Sequence, residues 1–219
     1  MSLFVVYVPD TGHVVGALNA TGAALSAGAA LPGGVALSAG AALPAGVALS
    51  TGAALSTGAA LPGGAALSAG VGSLVGDALP MRVSLSNGEV AELALRAGQL
   101  AVLAADDEPA VFADPLAFGV ELVPNAPPKP ALLRLATWSS NELTLTSDGL
   151  VVKVPVANQS RISKVLALIS DGQDTLVLTG EIPAQQDTVT LPVTVRSGVH
   201  GALVLVAGWA GRLEAVPTS

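Results

Sequence analysis

The stretch ALPAGVALSTGAALSTGAALPGGAALSAGV, residues 42–71, carries no charge, no aromatic ring and no long polar side chain. Three readings compete for it: a membrane span, a flexible linker, or a coil of short strands. Its spacing decides among them. Leucine recurs as Leu25, Leu31, Leu37, Leu43, Leu49, Leu55, Leu61 and Leu67. Glycine recurs in step as Gly28, Gly34, Gly40, Gly46, Gly52, Gly58 and Gly64, with further members at Gly22, Gly70 and Gly76. The period is six. Each unit runs Leu, Ser or Pro, a small residue, Gly, Ala or Val, then Ala, except that the last ends in Gly72.

A helix advances about 600° over six residues, so the leucines would wind onto three separate faces and form no stripe. Each interior proline would cost about 3 kcal/mol, and Pro32, Pro44, Pro62 and Pro80 punctuate the run. A continuous membrane helix of about 20 residues is therefore not expected. A Gly/Ser linker stays flexible because it buries nothing, and it has no reason to hold Leu at fixed spacing. In a strand the even period puts every Leu on one face, together with the Ala or Val four positions on. Gly turns the chain without steric cost, and Ser or Pro suits the entry to a turn.

Read this way, LPAGVA, LSTGAA and LPGGAA resemble the hexapeptide repeat of left-handed parallel β-helix proteins. The resemblance covers residues 18–80. It implies a triangular coil of three hexads, with the aliphatic residue and the small residue four positions on pointing inward. Pro44, Pro62 and Pro80 stand 18 residues apart, as stacking along one edge of such a coil requires. Many proteins of that family are acyltransferases that use a histidine base. The hexads here contain none; His13 and His200 lie outside them. No catalytic role, cofactor or metal is expected from the repeat.

Its outward positions are as informative as its inward ones. Between Asp10 and Asp77 there is no Asp, Glu, Lys or Arg. The outward residues are Ser, Pro, Ala and Gly, so the surface of such a coil would be nearly as apolar as its interior. Large exposed apolar surfaces mark contact sites, and open strand edges invite stacking. The repeat, with the leucines and glycines named above, is thus expected to be an assembly surface. A homo-oligomer, trimer or higher, is the expected state, either through packed single-chain coils or through a stalk shared by several chains.

Composition narrows the remaining classes. The 219 residues are 51% hydrophobic but only 11% charged and 3% aromatic, against about 25% charged in an average protein. Net charge is −7. The nine Lys and Arg are scattered from Arg82 to Arg212. That provides no basic patch for nucleic acid or for an anionic membrane. Without cysteine there is no disulfide framework and no thiolate metal site. The N-terminal run lacks the basic region and apolar length of a secretory signal, so a cytoplasmic protein, or one released as part of a particle, is expected.

Two short motifs carry possible chemistry. Asp10-Thr11-Gly12 matches the core of aspartic proteases, which need two carboxylates sharing a proton. Pro9 and His13 depart from that family's flanks, and β-rich runs on both sides read as a hairpin turn. Asp106-Asp107-Glu108-Pro109 offers hard oxygen ligands, but not the alternating spacing of a calcium loop.

Elsewhere the chain reads as all-β. Residues 1–124 are expected to form an N-terminal β-domain that carries the coil. Met81–Leu85 and Glu89–Leu95 flank a Ser86-Asn87-Gly88 hairpin turn, followed by short strands at 99–104, 110–113 and 118–123. Asn125–Pro130 reads as a Pro-rich linker. Residues 131–219 carry seven strand runs, beginning at 131–137 and ending at 202–207, with turns at Asp148-Gly149, Asp171-Gly172 and Ser197-Gly198. About 90 residues of this pattern resemble an immunoglobulin-like β-sandwich. Trp138 and Trp209 would fill its core or rim. The expected function is a non-catalytic, self-assembling structural protein, such as a component of a phage-tail-like or contractile-injection particle, a fibre or another large assembly. The alternative is a binding module whose sandwich recognises a carbohydrate or protein, with the repeat as spacer.

Overall fold

The computed structural model describes residues 2–20, 77–86, 88–122, 128–138, 142–170 and 174–218. The hexads from Leu25 to Leu67, and with them the expected β-helix, lie outside this set. The two ends of the expected coil lie inside it, and both are strand: 18–20 close one hairpin and 78–80 open another. The described residues are all-β. Strands are β1 Ser2–Tyr7, β2 Val14–Ala20, β3 Ala78–Ser84, β4 Val90–Arg96, β5 Ala101–Ala105, β6 Phe118–Val120 and β7 Leu132–Arg134. They continue with β8 Leu143–Leu145, β9 Gly149–Lys153, β10 Ser163–Ser170, β11 Thr175–Ile182, β12 Thr188–Pro192, β13 Val199–Val206 and β14 Arg212–Pro217. The helical segments among these residues are 3-10 turns of three or four residues. None is long and apolar enough to cross a membrane.

The chain divides into two compact units, one of residues 1–79 with 95–134, the other of 80–94 with 135–219. In the first unit, β1 is the centre of a three-stranded antiparallel sheet, β2-β1-β5. Its strands alternate side chains across the sheet. Leu3, Val5, Tyr7, Val14 and Ala17 enter a core completed by Val111, Phe118 and Val120. β6 and β7 pair antiparallel, Gly119 opposite Leu133. The segment 110–113, read above as a strand, is instead a 3-10 turn, Pro109–Phe112. Pro109 presets the helical φ at the first position. Glu108 accepts a hydrogen bond from the Ala110 amide at 3.2 Å through its carboxylate, which satisfies an otherwise unpaired donor.

In the second unit, two antiparallel sheets enclose one core: β12-β9-β8 and β11-β10-β13-β14. Leu143, Leu145, Leu150, Val152 and Leu191 from the first sheet meet Val165, Ala167, Ile169, Ala202, Val204 and Val206 from the second. The β8–β9 turn falls at Asp148-Gly149. The Thr146 hydroxyl accepts from the Gly149 amide at 3.1 Å and the Thr146 amide donates to the Gly149 carbonyl at 2.9 Å.

Three features depart from the strand count read off the sequence. The run at 131–137 supplies only β7, which pairs with β6 in the first unit. β14, unforeseen, completes the seven strands of the second unit's two core sheets and pairs along β13. The hairpin of β3 and β4 groups, over residues 80–94, with the second unit rather than with the N-terminal strands. Within that unit its Val83, Ala91 and Leu93 surround Gly201 of β13, on the face opposite the core. Thr175 donates from its hydroxyl to the Glu92 carbonyl at 3.2 Å. β10 and β13 are buried on both faces: Leu166, Leu168, Leu203 and Leu205 point away from the core, yet each is at most 3% exposed, and the hairpin covers that outer face at Gly201.

Candidate functional site

The Asp-Thr-Gly motif occupies the turn between β1 and β2. The Val8 carbonyl accepts from the Thr11 amide at 3.3 Å and the Gly12 amide at 2.8 Å, and the Val8 amide donates to the His13 carbonyl at 2.9 Å. Gly12 has φ +78, a conformation that side chains disfavour. A Cβ there would also stand 2.8 Å from the Val120 carbonyl oxygen. The Gly12 carbonyl in turn accepts from the Val120 amide at 2.7 Å. Glycine is therefore required by the turn and by the close pass of β6. Asp10 lies at the exposed tip, whereas Thr11 and His13 are buried. His13 shares a 2.9 Å hydrogen bond between Nδ1 and the Thr11 hydroxyl. These bonds account for the three motif residues as a hairpin turn.

His200 sits on β13 in the other unit, buried, opposite Val216. Its Nε2 lies 2.9 Å from the Arg196 carbonyl and acts as donor, while Nδ1 is buried without a partner. The two histidines thus belong to separate units. Among the described residues, no group of three or more His, Asp or Glu is placed to hold a metal ion. The acidic run is split by its own fold. Asp106 and Asp107 are exposed, and Glu108 is committed to capping the following turn.

Trp138 and Trp209 both pack on the edge of the second unit's core, half-buried. The Trp138 Nε1 donates to the Ala210 carbonyl at 2.6 Å. The Ala210 amide donates to the Ala136 carbonyl at 2.7 Å, and Ala136 and Trp209 form a parallel bridge. The Arg212 guanidinium stands over the Trp138 ring, 5.5 Å from its centroid, and is ion-paired with Glu214. A cation over an aromatic face is worth about 0.5–2 kcal/mol. The arrangement latches the segment before β8 onto the β13–β14 turn. It uses the indole N–H and one ring face for that purpose.

Among the described residues, the Asp-Thr-Gly turn, the acidic run and the two histidines are not brought together. The remaining candidate is the uncharged repeat. The described residues on either side of it, Ala20 at the end of β2 and Asp77 before β3, both belong to the first unit. The Asp77 carbonyl is held by the Ala97 amide at 2.9 Å. Comparison with protein-family models, with curated proteins and with solved structures finds no match to this chain.

Proposed function

We propose that this is a non-catalytic structural protein that self-assembles through its hexapeptide repeat. One observation carries the reading: eight consecutive hexads with Leu and Gly in fixed register, in a span from residue 11 to residue 76 that holds no Asp, Glu, Lys or Arg. Leu and Ala or Val would line the inside of a left-handed β-helical coil, and Ser, Pro, Ala and Gly would face a neighbouring copy. Small outward side chains let backbones approach closely, and an uncharged surface removes the repulsion that a net charge of −7 imposes elsewhere on two copies. Anchoring of both flanks in one unit supports a repeat presented as an insertion from a folded base.

The second unit is read as an immunoglobulin-like sandwich that decorates or docks the assembly. Its strand order supports this. β8, β9 and β12 take the places of strands A, B and E. β10, β13 and β14 take those of C, F and G, with β11 as an added edge strand beside C. It lacks the disulfide and the strand-C tryptophan of antibody domains. The likeness is one of strand order.

The test is the mass and shape of the purified chain. Light scattering and negative-stain microscopy at micromolar concentration should show trimers, rings or filaments. A particle of 21.4 kDa at that concentration would sink the proposal.

A further inference from the structure

The edges of the second unit's sheets are not equally defended. An edge strand exposes unpaired backbone N–H and C=O groups, and proteins blunt such edges with short strands, Pro, Lys or bulges. β8 has three residues. β12 has five and ends in Pro192. β14 carries Arg212 and Glu214, ends in Pro217 and continues into a bridge between Thr218 and Leu145. β11 has none of these devices. It runs eight residues, TLVLTGEI, in unbroken register with β10. It contains no Pro, Lys or Arg, and among the described residues no strand pairs with its other side. Leu176 and Val177 are 43% and 40% exposed. As neighbours in a strand they point to opposite faces, so each face of this edge carries one exposed aliphatic side chain.

We propose that β11 pairs antiparallel with β11 of a second copy, joining two four-stranded sheets into one of eight strands. The edge is self-complementary in one register. Centred on Val177, twofold pairing sets Val177 against Val177, Leu176 against Leu178, Thr175 against Thr179 and Asp174 against Gly180. Aliphatic side chains meet aliphatic, hydroxyls meet hydroxyls, and no carboxylate faces another. Matched cross-strand pairs of these kinds each stabilise a ladder, and like charges placed opposite weaken it. Moving the centre to Leu178 puts Leu176 against Gly180 and Glu181 against Thr175. Moving it to Leu176 puts Asp174 against Leu178. The contact is isologous and closes on itself as a dimer. It is separate from the repeat and goes beyond the assembly proposed for it. The two together would link repeat-mediated oligomers in pairs.

Because the chain has no cysteine, cross-linking reads the register directly. Directly opposite residues lie about 4.5–5.5 Å apart at Cα, within the range that a disulfide spans. After mild oxidation of the full chain, Val177→Cys should give a covalent dimer on non-reducing electrophoresis. Thr175→Cys and Thr179→Cys should do so only when mixed. Thr190→Cys, exposed on the β12 edge, is the control. Val177→Lys sets two ammonium groups opposite each other and should weaken dimerisation about tenfold or more, read by sedimentation equilibrium. It should leave the melting temperature near that of the parent. The 18-residue deletion in the repeat described below should leave the Val177→Cys cross-link intact. Equal cross-linking at Val177 and Thr190, dimers from Thr175→Cys alone, or an unchanged association constant in Val177→Lys would each overturn the pairing.

Discussion

Tyr7 is the only tyrosine in the chain, and it sits in the core of the first unit between Val14 and Ala101 of the flanking strands. Burial there pushes its phenol above the ordinary 10.0, because the charged form loses its hydration. The sign for stability follows. The folded state holds the proton where the unfolded chain would release it, so stability is fully present below about pH 10 and is lost as pH rises through the folded value. Absorbance at 295 nm should therefore show less tyrosinate in the folded chain than in the denatured chain at the same alkaline pH. Denaturant midpoints should fall between pH 10 and 11, and Tyr7→Phe should lessen that fall. A folded chain whose tyrosine titrates at 10.0 would contradict the burial. Tyr7 was legible as part of a β-rich run, but nothing local distinguished it from an exposed strand residue. Gly12 and His13 make the same point for the motif. Asp-Thr-Gly has the composition of a turn and of a catalytic loop, and only the Thr11 and Gly12 amides converging on the Val8 carbonyl, with the Val120 amide donating to the Gly12 carbonyl, decide for the turn.

At the scale of elements, the hairpin of β3 and β4 was readable from Ser86-Asn87-Gly88 and the apolar runs beside it. Its partner was not. What binds it is the smallest side chain on β13. An added Cβ at Gly201 would lie 2.6 Å from both Ala91 Cβ and Val83 Cγ1, atoms close to the backbone that cannot swing away. Overpacking of this kind costs about 1–3 kcal/mol. Gly201→Ala should lower stability by that amount in chemical denaturation, and the Thr175 amide region should lose hydrogen-exchange protection as the hairpin lifts. Full stability in Gly201→Ala would show that the hairpin is not seated there. One signal for a second covering was present. VLALI and ALVLV are continuous apolar runs rather than alternating ones, the mark of strands buried on both faces. β14 escaped notice because Arg212 and Glu214 interrupt its apolar pattern. β7 was misplaced because a strand's sequence does not say which neighbour it will pair with.

For the whole molecule, the assembly reading makes a length-dependent prediction. If three hexads close one turn of a left-handed β-helix, removing residues 43–60 deletes one turn and restores the register of all that follow. That variant should fold with the parent's circular dichroism and assemble with a shortened repeat. Removing only residues 43–48 should shift each later hexad to a different side of the coil and cost more stability, seen as a lower melting temperature. Equal tolerance of both deletions would argue for a repeat without a three-hexad turn. The even period and the missing charges were legible in full from the chain. A partner for the proposed assembly was not, because a run of small uncharged residues carries no charge or shape pattern that singles one out.

The sequence by itself determined the all-β class, the hairpin turns, the absence of a cysteine framework and the six-residue repeat. Each of these depends on local chemistry: which residues tolerate a turn, which alternate, which carry charge. The tertiary structure alone decided that the hairpin at 80–94 lies on the second unit, that β7 belongs to the first, and that Trp138 and Arg212 form a latch. It also decided that β11 stands at a sheet end, with no further strand paired to it among the described residues. These depend on contacts between residues far apart in the chain. There the winning pairing is set by shape and burial, and many strands of similar composition compete for it.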